Sequence, residues 1–235
     1  MVSDKGYIII SPCRNEAMYM RETLDSVLKQ TIQPKKWVIV DDGSTDDTPI
    51  ILKEYALKYS LIKVVTCEDR GHRSVGPGVI TAFYKGYDTI NIDEYEFVCK
   101  LDLDLRLPSK YFETLISRMN SDSRIATCSG KAYIEQGNKL VYERHGDDMS
   151  IGASKFYRVA CFKAIGGFEK EVMWDGIDCH KCRMHGWIAC SWNDDELRFI
   201  HLRPMGSSQT SIYAGRMRHG FGQYYMGTGF IYLLA

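Results

Sequence analysis

The sequence has no excess charge of either sign. Its 235 residues carry 30 Lys+Arg and 30 Asp+Glu, a formal net charge of zero. Bulk attraction to nucleic acid is thereby excluded as a source of affinity; no nucleic-acid partner is expected, and an anionic ligand must be held by local charge or by a metal. No apolar run approaches the roughly 20 residues that a membrane-spanning helix needs, which excludes a span within this sequence but not peripheral attachment. No secretory leader precedes the eight scattered cysteines (13, 67, 99, 128, 161, 179, 182, 190), a pattern expected of reduced, mostly buried thiols in a cytosolic protein. Repeats and low-complexity linkers are absent too, so one domain with at most a small appendage is expected.

What is present is an ordinary globular composition, 45% hydrophobic and 26% charged, set in a regular rhythm. "YIIIS" (7–11) reads as a strand, followed by Ala17, Met20, Leu24, Val27 and Leu28 at helix-face spacing. "WVIVD" (37–41) is a second strand, after which Ser44 and Asp47 form the pattern of a capping box opening a helix through Tyr59. "IKVVTC" (62–67) and "EFVCKLD" (96–102) read as strands; "GVITAFYKGY" (78–87) and "PSKYFETLISRM" (108–119) read as helices. Four alternations predict an α/β fold with an open, mostly parallel central sheet flanked by helices. Beyond residue 105 the rhythm fades. "RIATCSGKAYIE" (124–135) reads as extended, "SKFYRVACFKAIGGF" (154–168) as a helix ended by Gly166 and Gly167, and "DCHKCRMHGW" (178–187) as a short helix. The division expected is a ligand-binding half over 1–105, a second half over 106–215, and a tail over 216–235.

Ligands of such sheets bind beyond the carboxyl ends of the strands, and three strand ends here are rich in polar groups. The first opens into Pro12, Arg14, Asn15 and Glu16; the second stops on Asp41 and Asp42; the fourth ends in "KLDLDLRLP", with Asp102 and Asp104 alternating about Leu103. Clustered acids repel one another and call for a cation or a donor-rich ligand. Asp102 and Asp104 suit Mg²⁺ or Mn²⁺ shared with a diphosphate. Asp41 and Asp42 suit a ribose hydroxyl or a base N–H, although helix capping is also open to this segment. The glycine-rich "DRGHRSVGPG" (69–78) offers Arg70, His72 and Arg73 to phosphates without being a Walker A loop or a dinucleotide fingerprint.

Further on, Asp175 and Asp178 flank a glycine at a helix start; an N-cap role is open to Asp178, and Asp175 is the better placed to enter a cleft. Cys179 and Cys182 form a single C-x-x-C with no second knuckle, which argues against structural zinc. The closing "RMRHGFGQYYMGTGFIYLLA" mixes Arg216, Arg218 and His219 with aromatics, a composition suited either to peripheral membrane contact or to a helix packed on the core.

Together these segments resemble the family 2 glycosyltransferases of the GT-A fold, and the resemblance spans nearly the whole chain. "SPCRNEAMYMRETLDSVLKQT" is similar to the family's opening strand and helix, "WVIVDDGSTDDT" to its nucleotide-binding strand, "LDLDLRLP" to its Asp-x-Asp metal motif, and "IGGFEKEVMWDGIDCHKCRMHGW" to its acceptor-side segment. The resemblance implies an inverting transfer from a nucleotide-diphosphate sugar, a UDP-sugar by preference, to a saccharide or lipid-linked saccharide in cell-surface polysaccharide or glycolipid synthesis, on the cytoplasmic side. It implies that Pro12, Arg14, Asn15, Glu16, Asp41, Asp42, Arg70, Arg73 and Asp102 bind the donor. Asp104 and Asp102, with His201 of "HLRP", would hold Mn²⁺ or Mg²⁺, and Asp175 would be the catalytic base. The family usually has Glu-Asp where this chain has Trp174 and Asp175, so a register starting from Asp178 is the alternative base. A sugar nucleotidyltransferase is the rival enzyme, although "IIISPCRNEAM" lacks the glycine-rich triphosphate loop; an inactive nucleotide-sugar-binding protein of the same fold is the rival binder.

Overall fold

The computed structural model describes residues 5–69, 71, 76–204, 217, 220–222 and 224–227. The first half follows the expected alternation: β1 (Tyr7–Cys13), α1 (Met20–Leu28), β2 (Lys36–Asp41), α2 (Thr48–Lys58), β3 (Ile62–Thr66), α3 (Pro77–Tyr87) and β4 (Phe97–Leu101). A short β5 (Leu105–Arg106) and α4 (Tyr111–Ser121) follow. The second half contributes β6 (Ile125–Ser129), β7 (Lys131–Gln136), β8 (Lys139–Tyr142), β9 (Ser154–Arg158), α5 (Val159–Ala164), α6 (Trp174–Met184), β10 (Ile188–Ser191) and β11 (Arg198–His201).

Seven strands form one sheet in the order β10-β6-β9-β4-β1-β2-β3. All of its pairings are parallel except those of β9, which runs antiparallel to both β4 and β6. Strands from both sides of residue 105 therefore share one sheet. The other four strands make a smaller sheet, β5-β11-β7-β8. β1 is buried at all seven positions because it lies mid-sheet with helices on both faces, which is why it reads as a continuous apolar run rather than an alternating one. The period of two shows instead in how the core divides. Ile9, Trp37, Ile39 and Cys99 pack with α1, α2 and α4 on one face, while Ile8, Ile10, Val38, Val40 and Val98 pack with α3, α5 and α6 on the other.

Two local expectations are overturned. The helix expected over 154–168 is helical only from Val159; residues 154–158 are β9, inserted between β4 and β6. Phe156 goes to one face of the sheet and Tyr157 to the other, so pairing on both edges overrides a local pattern that reads equally well as helical. The capping box of Ser44 and Asp47 does not form either. The N-cap Asp47 makes no side-chain cap hydrogen bond, and the Ser44 hydroxyl instead accepts the Asn15 N–H at 2.9 Å, because the loop after β1 competes for it. The extended reading of 124–135 holds as two strands, β6 and β7, that enter different sheets.

The tail residues Arg216, Arg218 and His219 lie outside the described residues. Gly222, which is described, packs so closely on Met173 that an added Cβ would sit 2.1 Å from its Cγ. Among the described residues no helix is long and apolar enough to cross a membrane.

α3 reaches the sheet through Gly86, where a Cβ would lie 2.7 Å from Val40 Cγ2 and 3.0 Å from Ile10 Cγ2. Elsewhere in a helix Gly→Ala stabilises by about 1 kcal/mol, but here overpacking opposes it with about 1–3 kcal/mol. Gly86→Ala is therefore expected to lower the urea midpoint at unchanged m value; a midpoint equal to or above that of the parent would mean that α3 moves off the sheet without cost.

Candidate active site

The chain runs outward from β1 to β3 and then returns to β4 on the other side of β1, so the strand order switches between β1 and β4. A crevice opens at the carboxyl ends of strands that diverge in this way. The β1–β4 rungs end at Ile10 and Lys100. Pro12, which has no N–H to offer a neighbour, comes two residues later, so no rung to β4 is lost there.

The loops after β1 and β2 form one floor. Asn15 takes a left-handed backbone conformation, φ 56°, tolerable for a short amide side chain. Its N–H donates to Ser44 Oγ, and its Oδ1 accepts the Thr45 N–H at 2.8 Å. The Glu16 N–H donates to Thr48 Oγ1 at 2.9 Å and the Ala17 N–H to Asp46 Oδ2 at 3.1 Å. Arg14 bridges the Asp42 carbonyl and the Asp69 carboxylate, both at 2.5 Å. Asp41 is buried, and its Oδ1 accepts the Ser44 N–H at 2.9 Å, closing the turn. The expected nucleotide residues of these two loops are thus brought together. Arg70, His72 and Arg73 lie outside the described residues.

The Asp-x-Asp sits at the end of β4. Asp102 pairs with Lys100 Nζ at 2.5 Å, and its side chain is 33% exposed. Asp104 is buried: Oδ2 accepts Arg203 Nε at 2.6 Å and lies 3.7 Å from His201 Nε2. Its Oδ1 is buried with no hydrogen-bond partner among the described residues. Arg203 also donates to Glu16 Oε1 at 2.7 Å, and His201 Nδ1 meets Glu143 Oε2 at 2.9 Å. Burial would raise the Asp104 carboxyl, but the His201 imidazole and the Arg203 charge outweigh it and hold it below the ordinary carboxylate value. Burial would likewise lower His201, yet Asp104 and Glu143 carry it up to about 9. Among the described residues no three His, Cys, Asp or Glu side chains form a ready-made cation cage. Asp104 Oδ1, without a partner among the described residues, and the neighbouring Asp102 nevertheless fit a divalent cation whose remaining ligands come from a bound diphosphate; His201 would join them only by giving up the proton that Asp104 and Glu143 hold on it.

Because β9 is antiparallel, it begins at the carboxyl end of β4, where Ser154 is in register with Leu101. The segment before it is tied to the crevice: the Asp102 N–H donates to the Ala153 carbonyl at 2.8 Å, and Lys100 Nζ donates to the Gly152 carbonyl at 2.9 Å. Asp175, in the first turn of α6, lies against this segment, since a Cβ on Gly152 would sit 2.6 Å from its Oδ2. Asp178 is not an N-cap but lies within α6, fully buried, with Oδ1 2.5 Å from Lys155 Nζ and Oδ2 accepting the Tyr157 hydroxyl. Cys179 and Cys182 are buried on the same helix.

Lys100, Lys155, Glu143 and Arg203 join the site without having been expected there. A lysine inside the apolar run "EFVCKLD" signals Lys100; reading 154–158 as helical hid Lys155; Arg203 lies within the quoted "HLRP"; Glu143 carries no local signal.

A family model described as glycosyl transferase family 2 matches residues 8–180, well over half of the chain. The chain is 24% identical over 144 residues to glycosyltransferase GlyG of Streptococcus pneumoniae serotype 4, covering 61% of this chain and 45% of that one. It is 25% identical over 185 residues to chondroitin synthase of Escherichia coli, covering 79% of this chain and 23% of that one. Among solved structures it is similar to GalNAc-T7 with UDP, GalNAc and Mn²⁺, with a TM-score of 0.66, 16% identity, and coverage of 88% of this chain and 45% of that one. That likeness shows the fold, GT-A. The chain spans less than half the length of each of these three proteins.

The raised His201 value has a consequence for stability. The folded form holds this proton more tightly than the unfolded form, so the contribution is complete below 6.5, shrinks above it, and is lost as pH rises through about 9. Its size is on the order of 3 kcal/mol at 1.36 kcal/mol per unit of pKa. Without divalent cations, the loss of unfolding free energy between pH 6 and pH 10 is expected to be larger in the parent than in His201→Gln. Equal losses in urea titrations of the two would show that His201 is not held charged.

Proposed function

Because the chain belongs to the family 2 glycosyltransferases, we propose that it moves a sugar from a nucleotide-diphosphate sugar, preferably a UDP-sugar, to a hydroxyl of a saccharide or lipid-linked saccharide, with inversion at the anomeric carbon. The observation that carries the reading is that the Asp175 carboxylate lies against Gly152, whose carbonyl Lys100 joins to Asp102, the first acid of the Asp-x-Asp. UDP in the GalNAc-T7 structure supports the choice of nucleotide, and chondroitin synthase supports a saccharide acceptor.

In this reading Pro12, Arg14, Asn15, Glu16, Asp41 and Asp42 shape the nucleotide floor, and Arg70 and Arg73, which lie outside the described residues, would supply charge to the phosphates. Asp102, Asp104 and His201 would hold Mn²⁺ or Mg²⁺, which supplies positive charge to the departing diphosphate. Asp175 takes the proton of the acceptor hydroxyl. The acceptor oxygen then bonds to the anomeric carbon from the face opposite the diphosphate, whose oxygen leaves with the electron pair. Asp175 is preferred over Asp178 as base because Asp178 is fully buried and already paired with Lys155 and Tyr157. If the acceptor is lipid-linked, the tail over 216–235 would bring the site to a membrane surface. Vesicle flotation tests that part: Arg216→Glu/Arg218→Glu should float less than the parent with anionic vesicles, and equal flotation would count against it.

A thermal-shift screen of UDP-, GDP- and dTDP-sugars with Mn²⁺, followed by turnover, tests the whole reading. Asp175→Asn is expected to lose transfer by about 10²–10⁴-fold while keeping donor affinity. Asp104→Ala should lose metal-dependent donor binding with its circular dichroism unchanged. Failure of every nucleotide sugar to bind or turn over would sink the enzyme; donor binding without turnover of donor by the parent, with or without acceptor, would favour an inactive nucleotide-sugar-binding protein.

A further inference from the structure

Directly beneath Asp175 lies a lysine to which the proposed reaction gives no part. Lys155, on β9, is completely buried. Its ammonium donates to the Asp175 main-chain carbonyl at 2.6 Å, to Asp178 Oδ1 at 2.5 Å and to Cys179 Sγ at 3.3 Å, which uses all three of its donors. Burial favours loss of its proton, but the neighbouring Asp178, Cys179 and Asp175 outweigh that and hold it charged. Such a pair is weak evidence of a stabilising role, since replacing a buried ion pair with uncharged groups of similar volume is often neutral or favourable. The geometry points elsewhere.

α6 begins without the usual support. Its N-cap, Met173, is in the left-handed region, φ 63°, and the Met173 side chain makes no cap hydrogen bond. A non-glycine residue held there is strained and persists only where the surroundings enforce it. Lys155 grips that turn from below, at the carbonyl of Asp175 itself. On the other side the Asp175 carboxylate rests on Gly152, whose carbonyl is held by Lys100. Between the two sides, the Trp174 ring has Lys155 Nζ 5.7 Å and Lys100 Nζ 5.1 Å from its centroid, within the range of cation–π attraction.

We propose that Lys155 is the positioning residue for Asp175: by holding the Asp175 carbonyl it fixes the first turn of α6, so that the carboxylate stays against Gly152, and Asp178 serves as the counter-ion of Lys155. This rests on Asp175 being the base. The inference assigns Lys155 no contact with donor or acceptor. Its loss should therefore lower kcat and leave donor affinity alone, because a displacement of about 1 Å in a catalytic group costs about 10²-fold in rate.

The test is the paired variant Lys155→Met/Asp178→Asn, which removes both charges at similar volume and leaves no unpaired buried ion. Donor Kd by calorimetry, kcat and acceptor KM are measured beside Asp175→Asn. The expected result is donor Kd within about twofold of the parent and kcat lowered by about 10–100-fold. Gly152→Ala is the second variant should the pair fail to fold. It pushes the same carboxylate from the opposite side without touching the ion pair, and it should show the same split of lowered kcat and preserved donor Kd. Parental kcat in the folded paired variant, or in Gly152→Ala if the pair does not fold, overturns the positioning role while Asp175→Asn remains inactive. Full transfer by Asp175→Asn instead overturns the assignment of the base, and the positioning role with it.

Discussion

Carboxylates gathered at the carboxyl edge of a buried sheet repel one another, and each carries a desolvation cost that only a nearby cation or donor offsets. In this chain much of that compensation comes from within the fold. Lys100 rises from β4 to Asp102, Lys155 from β9 to Asp178, and Arg203, just past β11, spans Asp104 and Glu16. Each cation also bonds a second partner, so neutralising charge and fixing geometry are one act. Lys100 joins Asp102 to Gly152, and Arg203 joins the loop after β1 to the turn after β4. A third buried lysine works one layer out. Lys131 donates to the carbonyls of His145 and Gly146 and pairs with Asp147, anchoring the segment that follows Glu143, which faces His201.

The antiparallel direction of β9 is what brings the segment before it, and with it Asp175, to the end of β4. A parallel strand in that place would begin at the amino edge and carry residues 150–153 away from Asp102. Running the other way, it delivers Gly152 and Ala153 to the end of β4, and α6 then brings Asp175 against them. The same strand carries Lys155. One reversal of direction thus supplies both the wall of the crevice and the lysine beneath it.

How much was legible in the sequence divides along these lines. Local signals sufficed wherever one segment carries its own answer: the apolar runs of β1, β2 and β4, the strand-end acids, and the glycines that stop α5. They failed where a partner distant in the chain decides. Residues 154–158 read as helix because a short apolar stretch is ambiguous until it is known that β4 and β6 flank it. The Ser44 hydroxyl was expected to cap α2, and the loop after β1 claims it instead. Glu143 gave no sign, since nothing within its own segment requires an acid; it matters only because His201 arrives beside it.

The order of residues by itself determined that the sheet is mostly parallel and that acids stand at its strand ends, because periodicity is written within short windows; membership of the glycosyl transferase family 2 comes from likeness to known members over residues 8–180. Which acids stay accessible was decided by the tertiary structure alone. Asp175 and Asp178 are three residues apart on one helix, and the sequence favoured Asp175 while leaving Asp178 open. One lies at the crevice against Gly152, and the other is sealed by Lys155 and Tyr157. The reason is that burial and ion pairing depend on what packs against each side of α6, and those neighbours come from β9 and the segment before it, about 20 to 25 residues away in the chain.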